Sequence, residues 1–156
     1  MNTDNTRIID DCRDEIRKIE KWVNANPLDS NVKFLVAYAV VKSSGTIEIV
    51  FKRMITSFLA NGSKRETQIY LEKNIIDSSA NPSTGKIASF IDQFDSVRND
   101  AFNSSLKNTQ EKTDLNSLVQ LRNDIAHGRN ISISIQTVKR YFESGVSILN
   151  TLDALL

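Results

Sequence analysis

The chain has 156 residues, enough for one domain that buries roughly two-thirds of the surface its unfolded form would expose. With 40% hydrophobic and 25% charged residues its make-up is that of a globular protein, which excludes wholesale disorder. The 20 Lys and Arg nearly cancel the 19 Asp and Glu, so overall charge does not draw it to nucleic acid, and any such binding needs a local patch.

Scarce residues narrow the field further. Only 5 Gly and 2 Pro are present, too few for the many turns of an all-β fold. Cys12 is the single cysteine, which excludes a disulfide framework within the chain and a Cys-based zinc site. His127 is the single histidine, so no site can draw two imidazoles from one copy. Neither a metal nor another cofactor is expected. The segment Met1 to Asp14 is polar and acidic, unlike a signal peptide. The apolar region Val32 to Val41 is broken by Lys33 and closed by Lys42, far short of a membrane span. A cytoplasmic protein without a membrane partner is the simplest reading.

Periodicity predicts an all-α bundle of about five to seven helices, one domain spanning residues 1–156. From about Asp4 to Asn24, Ile8, Ile9, Cys12, Ile16, Ile19, Trp22 and Val23 recur at steps of three and four, and Asn26-Pro27 ends the helix. Cys12 lies on this apolar face and reads as a core residue. Ser30 to Leu59 reads as one long central helix, apolar all round in its first half, with Ser43-Ser44-Gly45 as a possible kink. Lys64 to Ser78 is a shorter helix, and Ser79 to Ser83 is a turn. Ile87, Phe90, Ile91, Phe94, Val97 and Phe102 predict one further helix, followed by a polar linker from Asn103 to Lys112. Leu115 to Ala126 is helical, with Thr113 or Asp114 as cap and Gly128 just past its end. Ile131 to Ile135 alternates like a short extended piece, and Gln136 to Leu156 forms the closing amphipathic helix.

The helix from Leu115 breaks its own pattern. Leu115, Leu118, Val119, Ile125 and Ala126 form a stripe, and Arg122 falls in its middle. A buried arginine needs a partner, so Arg122 has either a carboxylate or a groove that receives an anion. Asn123 and His127 are one turn apart beside it. Guanidinium, amide and imidazole together suit phosphate chemistry: the first neutralises charge, the second orients, and the third moves protons. A structural ion pair and a helix-end histidine account for the same residues without any chemistry.

The run Leu121-Arg122-Asn123-Asp124-Ile125-Ala126-His127-Gly128 closely resembles the signature of the HEPN superfamily: an arginine, a polar residue directly after it, and a histidine with four to six residues between it and the arginine. Its wording is most similar to the RiboL-PSP type of HEPN domain. The resemblance implies a helical bundle that homodimerises and brings two motifs together across a cleft. It further implies a metal-independent endoribonuclease of a toxin–antitoxin, anti-phage or other conflict system, cutting RNA by attack of a 2′-hydroxyl on the adjacent phosphate. Carried over, Arg122 binds the scissile phosphate, His127 transfers protons or stabilises the phosphate, and Asn123 positions them. Glu48, which interrupts the apolar run Ile47 to Val50, is the candidate acidic member from the second helix, with a solvated residue as the alternative. Because each copy has one histidine, acid–base cleavage by two imidazoles requires a homodimer.

RNA-binding candidates are Arg129 beside the motif, with Lys139 and Arg140 early in the last helix. The alternative is a non-catalytic interaction protein on the same fold, an immunity protein or antitoxin, with a cognate antitoxin, immunity or toxin protein as partner. The intact Arg122, Asn123 and His127 favour the enzyme, whereas the near-neutral charge favours the binding module.

Overall fold

The computed structural model describes residues Met1–Leu156 and contains seven helices and no strand. Helix α1, Thr3–Ala25, starts where the Asn2 side chain accepts the Asn5 amide, and ends at Asn26, before Pro27. Its inner face buries Ile9, Cys12 and Ile16 against α2.

Helix α2, Val32–Ala60, is the centre of the bundle, packed against α1, α6 and α7. It runs unbroken through Ser43-Ser44-Gly45, where a kink was a possibility. Ser43 and Ser44 are both buried, and their small side chains are accommodated within the continuous helix. Taken whole, α2 is long and apolar enough to cross a membrane, with a mean hydropathy of 1.5 over its most apolar 18 residues. Counting only to Val41 missed this, because the apolar pattern resumes after Lys42. Half of that window is buried inside the bundle, as a central helix requires.

Helix α3, Arg65–Leu71, passes into a π-helical turn, Glu72–Ile76. The single helix expected across Ile87 to Phe102 is two: α4, Thr84–Asp92, and α5, Ser96–Ser105. Asp95 makes the break, because its carboxylate accepts the Arg98 amide at 2.9 Å and starts a new helix. Helix α6, Gln110–Ala126, begins earlier than expected. Thr109, rather than Thr113 or Asp114, caps it by accepting the Lys112 amide. The polar first turn faces solvent, so apolar spacing could not reveal it. Helix α7, Ile135–Leu155, is capped by Ser134. The extended piece expected before it is not a strand; Ile131 and Ile133 pack on the core from a loop.

The core centres on Phe51, Phe102, Phe142, Ile47, Leu115 and Leu118, all fully buried, each contributing about 1.5–3 kcal/mol. Cys12 is part of it, and burial pushes its thiol up in pKa, against the lowering effect of the Thr46 hydrogen bond. A buried, protonated thiol is a poor nucleophile. Cys12 therefore stays unmodified by a water-soluble thiol reagent in the native protein and reacts in full once the chain is unfolded in guanidinium, followed by absorbance.

Candidate active site

The site is built at the end of α6. Gly128, at φ 72°, turns the chain out of the helix in the left-handed region that glycine adopts freely. Its amide donates to the Ile125 carbonyl at 3.0 Å, and the Arg129 amide to the Asp124 carbonyl at 2.8 Å. These are the paired bonds of a Schellman motif. Arg129 also donates from Nη1 to Asp124 Oδ1 at 2.9 Å, so an ion pair stands where such motifs often carry an apolar contact. Asp124 accepts from Gln120 Nε2 at 3.0 Å as well. His127 is thereby held as the residue closing the helix. It is exposed, and its imidazole makes no hydrogen bond within the chain.

Arg122 is half-buried on the face that carries Leu115, Leu118 and Val119 inward. No carboxylate forms an ion pair with it. Its partners are two neutral amides: Nη1 donates to Asn81 Oδ1 at 3.0 Å and to Asn123 Oδ1 at 3.4 Å. Both bonds come from one corner of the guanidinium. Nε and Nη2, the edge that suits a two-pronged phosphate contact, donate to no group of the chain. A half-buried positive charge thus lacks a counter-charge but is held in place.

Asn81 was not among the sequence candidates. It lies in the turn between the π-helical segment and α4, far from Arg122 in the chain. Only its context in space gives it a role. On one side of Asn81, Glu48 and Lys52 of α2 hold the turn. Lys52 Nζ pairs with Glu48 Oε1 at 2.7 Å and donates to the Ser78 carbonyl, while Glu48 Oε1 accepts the Ala80 amide at 2.9 Å. On the other side, the Thr84 amide and hydroxyl donate to Asn116 Oδ1 of α6 at 3.1 and 3.2 Å. Two elements therefore clamp the segment from which Asn81 reaches Arg122. An Asn-Pro turn is too common to signal this. The i,i+4 pair of Glu48 and Lys52, set among Ile47, Val50, Phe51, Met54 and Ile55, was the readable clue.

Glu48 is accordingly neither a solvated residue nor a group touching Arg122. Its carboxylate is largely buried beside Lys52, which is 5% exposed. It reaches the site through Ala80 and Asn81. Of the four catalytic candidates, Arg122 and Asn123 meet through a hydrogen bond and His127 follows on the next turn, its amide bonded to the Asn123 carbonyl at 3.0 Å.

The RNA-binding candidates each have an acidic neighbour. Arg129 pairs with Asp124, Lys139 with Glu20 at 2.7 Å, and Arg140 with the buried Asp114 at 3.3 Å. Arg129 is the one adjacent to the motif. Arg122 and Asn123 are half-buried and His127 is exposed, so in a single copy the motif lies at the surface.

Removing Glu48 leaves the Lys52 ammonium buried without its counter-charge. Glu48→Ala should cost about 3 kcal/mol in urea unfolding. The joint change Glu48→Leu with Lys52→Met, which removes both charges, should cost less than Glu48→Ala alone.

Comparison with curated proteins and with solved structures returns no match. Comparison with family models gives one match, to RiboL-PSP-HEPN over residues 7–156, nearly the whole chain. HEPN domains commonly include ribonucleases. With its all-helical fold and that match, the chain belongs to the RiboL-PSP-HEPN family.

Proposed function

We propose that this protein is an endoribonuclease that cuts RNA without a metal ion, at a site completed by two copies of the chain. The observation that carries this reading is the state of Arg122: half-buried, fixed by Asn81 and Asn123, and without a carboxylate. A purely structural arginine in that position gains stability from a counter-ion, and this one has none. A phosphodiester supplies the missing negative charge.

In the proposed reaction a 2′-hydroxyl attacks the adjacent phosphorus and gives its proton to an imidazole acting as base. The bond from phosphorus to the 5′-oxygen breaks, and that oxygen takes a proton from a second imidazole. The products are a 2′,3′-cyclic phosphate and a free 5′-hydroxyl. His127 supplies one imidazole and His127 of the partner subunit the other. Arg122 binds the non-bridging oxygens as charge builds on them. Asn123 and Asn81 orient the guanidinium, and Glu48 and Lys52 hold the Asn81 turn. Arg129 is the first candidate for contact with flanking RNA, with Lys139 and Arg140 as further ones. Such an activity fits an effector of a toxin–antitoxin, anti-phage or related conflict system in the cytoplasm.

One observation favours a second reading, a non-catalytic interaction protein such as an immunity protein or antitoxin. Arg129, Lys139 and Arg140 are each paired with an acid, which reduces the positive surface open to RNA.

The two readings separate in an assay of RNA cleavage in EDTA with purified protein, alongside expression and growth. The ribonuclease reading expects cleavage that Arg122→Ala and His127→Ala each reduce by about 10²- to 10⁴-fold, with native unfolding curves. Arg122→Lys should also fail, because an ammonium lacks the planar edge. Asn81→Ala should lose less than Arg122→Ala. Harmless expression and intact RNA would favour the binding module.

A further inference from the structure

Arg129, Lys139 and Arg140 are each paired with an acid, so positive charge open to RNA has to come from elsewhere. The turn between α1 and α2 supplies it. Lys18 and Lys21 near the end of α1 and Lys33 at the start of α2 are exposed, and none of them is in an ion pair of the chain. The acids of this part of α1 are engaged by other cations: Asp14 by Arg17 at 2.8 Å, Glu15 by Lys42 at 2.9 Å and Glu20 by Lys139 at 2.7 Å. In the turn itself, Asp29 accepts the Asn31 amide on Oδ1 at 2.7 Å and lines a cleft with Lys33.

Two aromatic rings stand among these lysines. Trp22 is 37% exposed and Phe34 63%, and they line one cleft together with Lys18, Ile19 and Leu35. Lys18 is three residues before Lys21 and four before Trp22, so the three side chains share a face of α1. Lys33 Nζ lies 4.9 Å from the centroid of the Phe34 ring. Single-stranded nucleic acid is bound by this combination, its bases stacked on the rings and its phosphates against the cations. A base within a duplex has both faces covered, so such a surface selects unpaired strands.

The aromatic cleft is joined to the candidate site. The loop after His127 lays Ile131, Ser132 and Ile133 against Val32, Lys33 and Val36 of α2. Gln136 Nε2, where α7 begins, donates to Asn24 Oδ1 near the end of α1 at 3.1 Å. Lys33 thus stands between that loop and Phe34. Ile131 is four residues past His127, so its Cα is no more than about 14 Å from that of the histidine.

We infer that Trp22 and Phe34, with Lys18, Lys21 and Lys33, form a stacking platform for unpaired bases of the RNA strand that flank the cut. RNA as the occupant rests on the ribonuclease reading. A protein segment in the same cleft would use its apolar lining alone, whereas the free lysines and the continuity with the motif favour RNA.

Trp22 is the only tryptophan of the chain, so its emission reports the platform directly. The test titrates the purified chain with a single strand of about 12 nucleotides of mixed sequence, 2′-O-methylated so that no 2′-hydroxyl can attack. The strand should quench Trp22, and its duplex with a complementary strand should bind about tenfold more weakly or worse. Phe34→Ala should weaken binding about 5- to 100-fold with an unchanged unfolding curve. Lys33→Ala should weaken it and lower the slope of log K against log salt by about 0.7, the value of one single-strand phosphate contact. Tyr70→Ala, which removes an equally exposed ring on α3, should bind as wild type does. Emission that ignores the strand, a duplex bound as tightly, or wild-type affinity in Phe34→Ala would overturn the proposal. Emission that changes on dilution of the protein and not with the strand would overturn it in favour of a second copy. Unmodified RNA in EDTA separates the platform from the reading it rests on. Quenching without cleavage keeps the platform and removes the ribonuclease, and cleavage without quenching does the reverse.

Discussion

Helix α2 buries Val36, Ala39, Val40, Ile47, Val50, Phe51, Met54 and Ile55, and this demand for apolar contact on several sides sets the rest of the structure. Burying these groups gains their transfer free energy from water, so neighbours pack on most of the helix. Helices α1, α6 and α7 pack on it, and the shorter α3 and its π-helical turn cover part of the rest, leaving Phe34, Tyr38, Val41 and Ile49 exposed. The position of the motif follows from that packing, since Leu115, Leu118 and Val119 fix the rotation of α6 against the core and so fix where Arg122 emerges.

Two cations interrupt the apolar faces, and they are treated in opposite ways. Lys52, on α2, has its carboxylate four residues before it and is closed in by the turn at Ser78 to Ala80. Arg122, on α6, is given amides instead. Amide oxygens orient a guanidinium without cancelling its charge, so the site keeps an attraction for anions that an ion pair would extinguish. The compensated pair also serves the uncompensated cation, because it anchors the turn that carries Asn81.

Much of this was legible in the residues. The step of three and four placed α1, α2, α6 and α7, and an arginine where a leucine belonged singled out Arg122 before any neighbour was known. The two misplaced helix boundaries share one cause. The start of α6 and the break at Asp95 are set by polar side chains bonding to backbone amides, which apolar periodicity does not register. Glu48 was noticed as an interruption, but whether it faced solvent, the motif or Lys52 depended on which segment folded over α2.

By itself, the sequence determined an all-α domain with one unusual arginine, one histidine and a helix end between them, because helical period and helix-stop chemistry are local properties of the chain. Only the tertiary structure decided that Arg122 has no counter-charge, that Asn81 holds it, and that Glu48 acts through a turn rather than directly. Those facts depend on contacts between residues far apart in the chain, such as Arg122 with Asn81 and Glu48 with Ala80. Polar groups find such partners through packing, and no spacing along one helix encodes a partner on another.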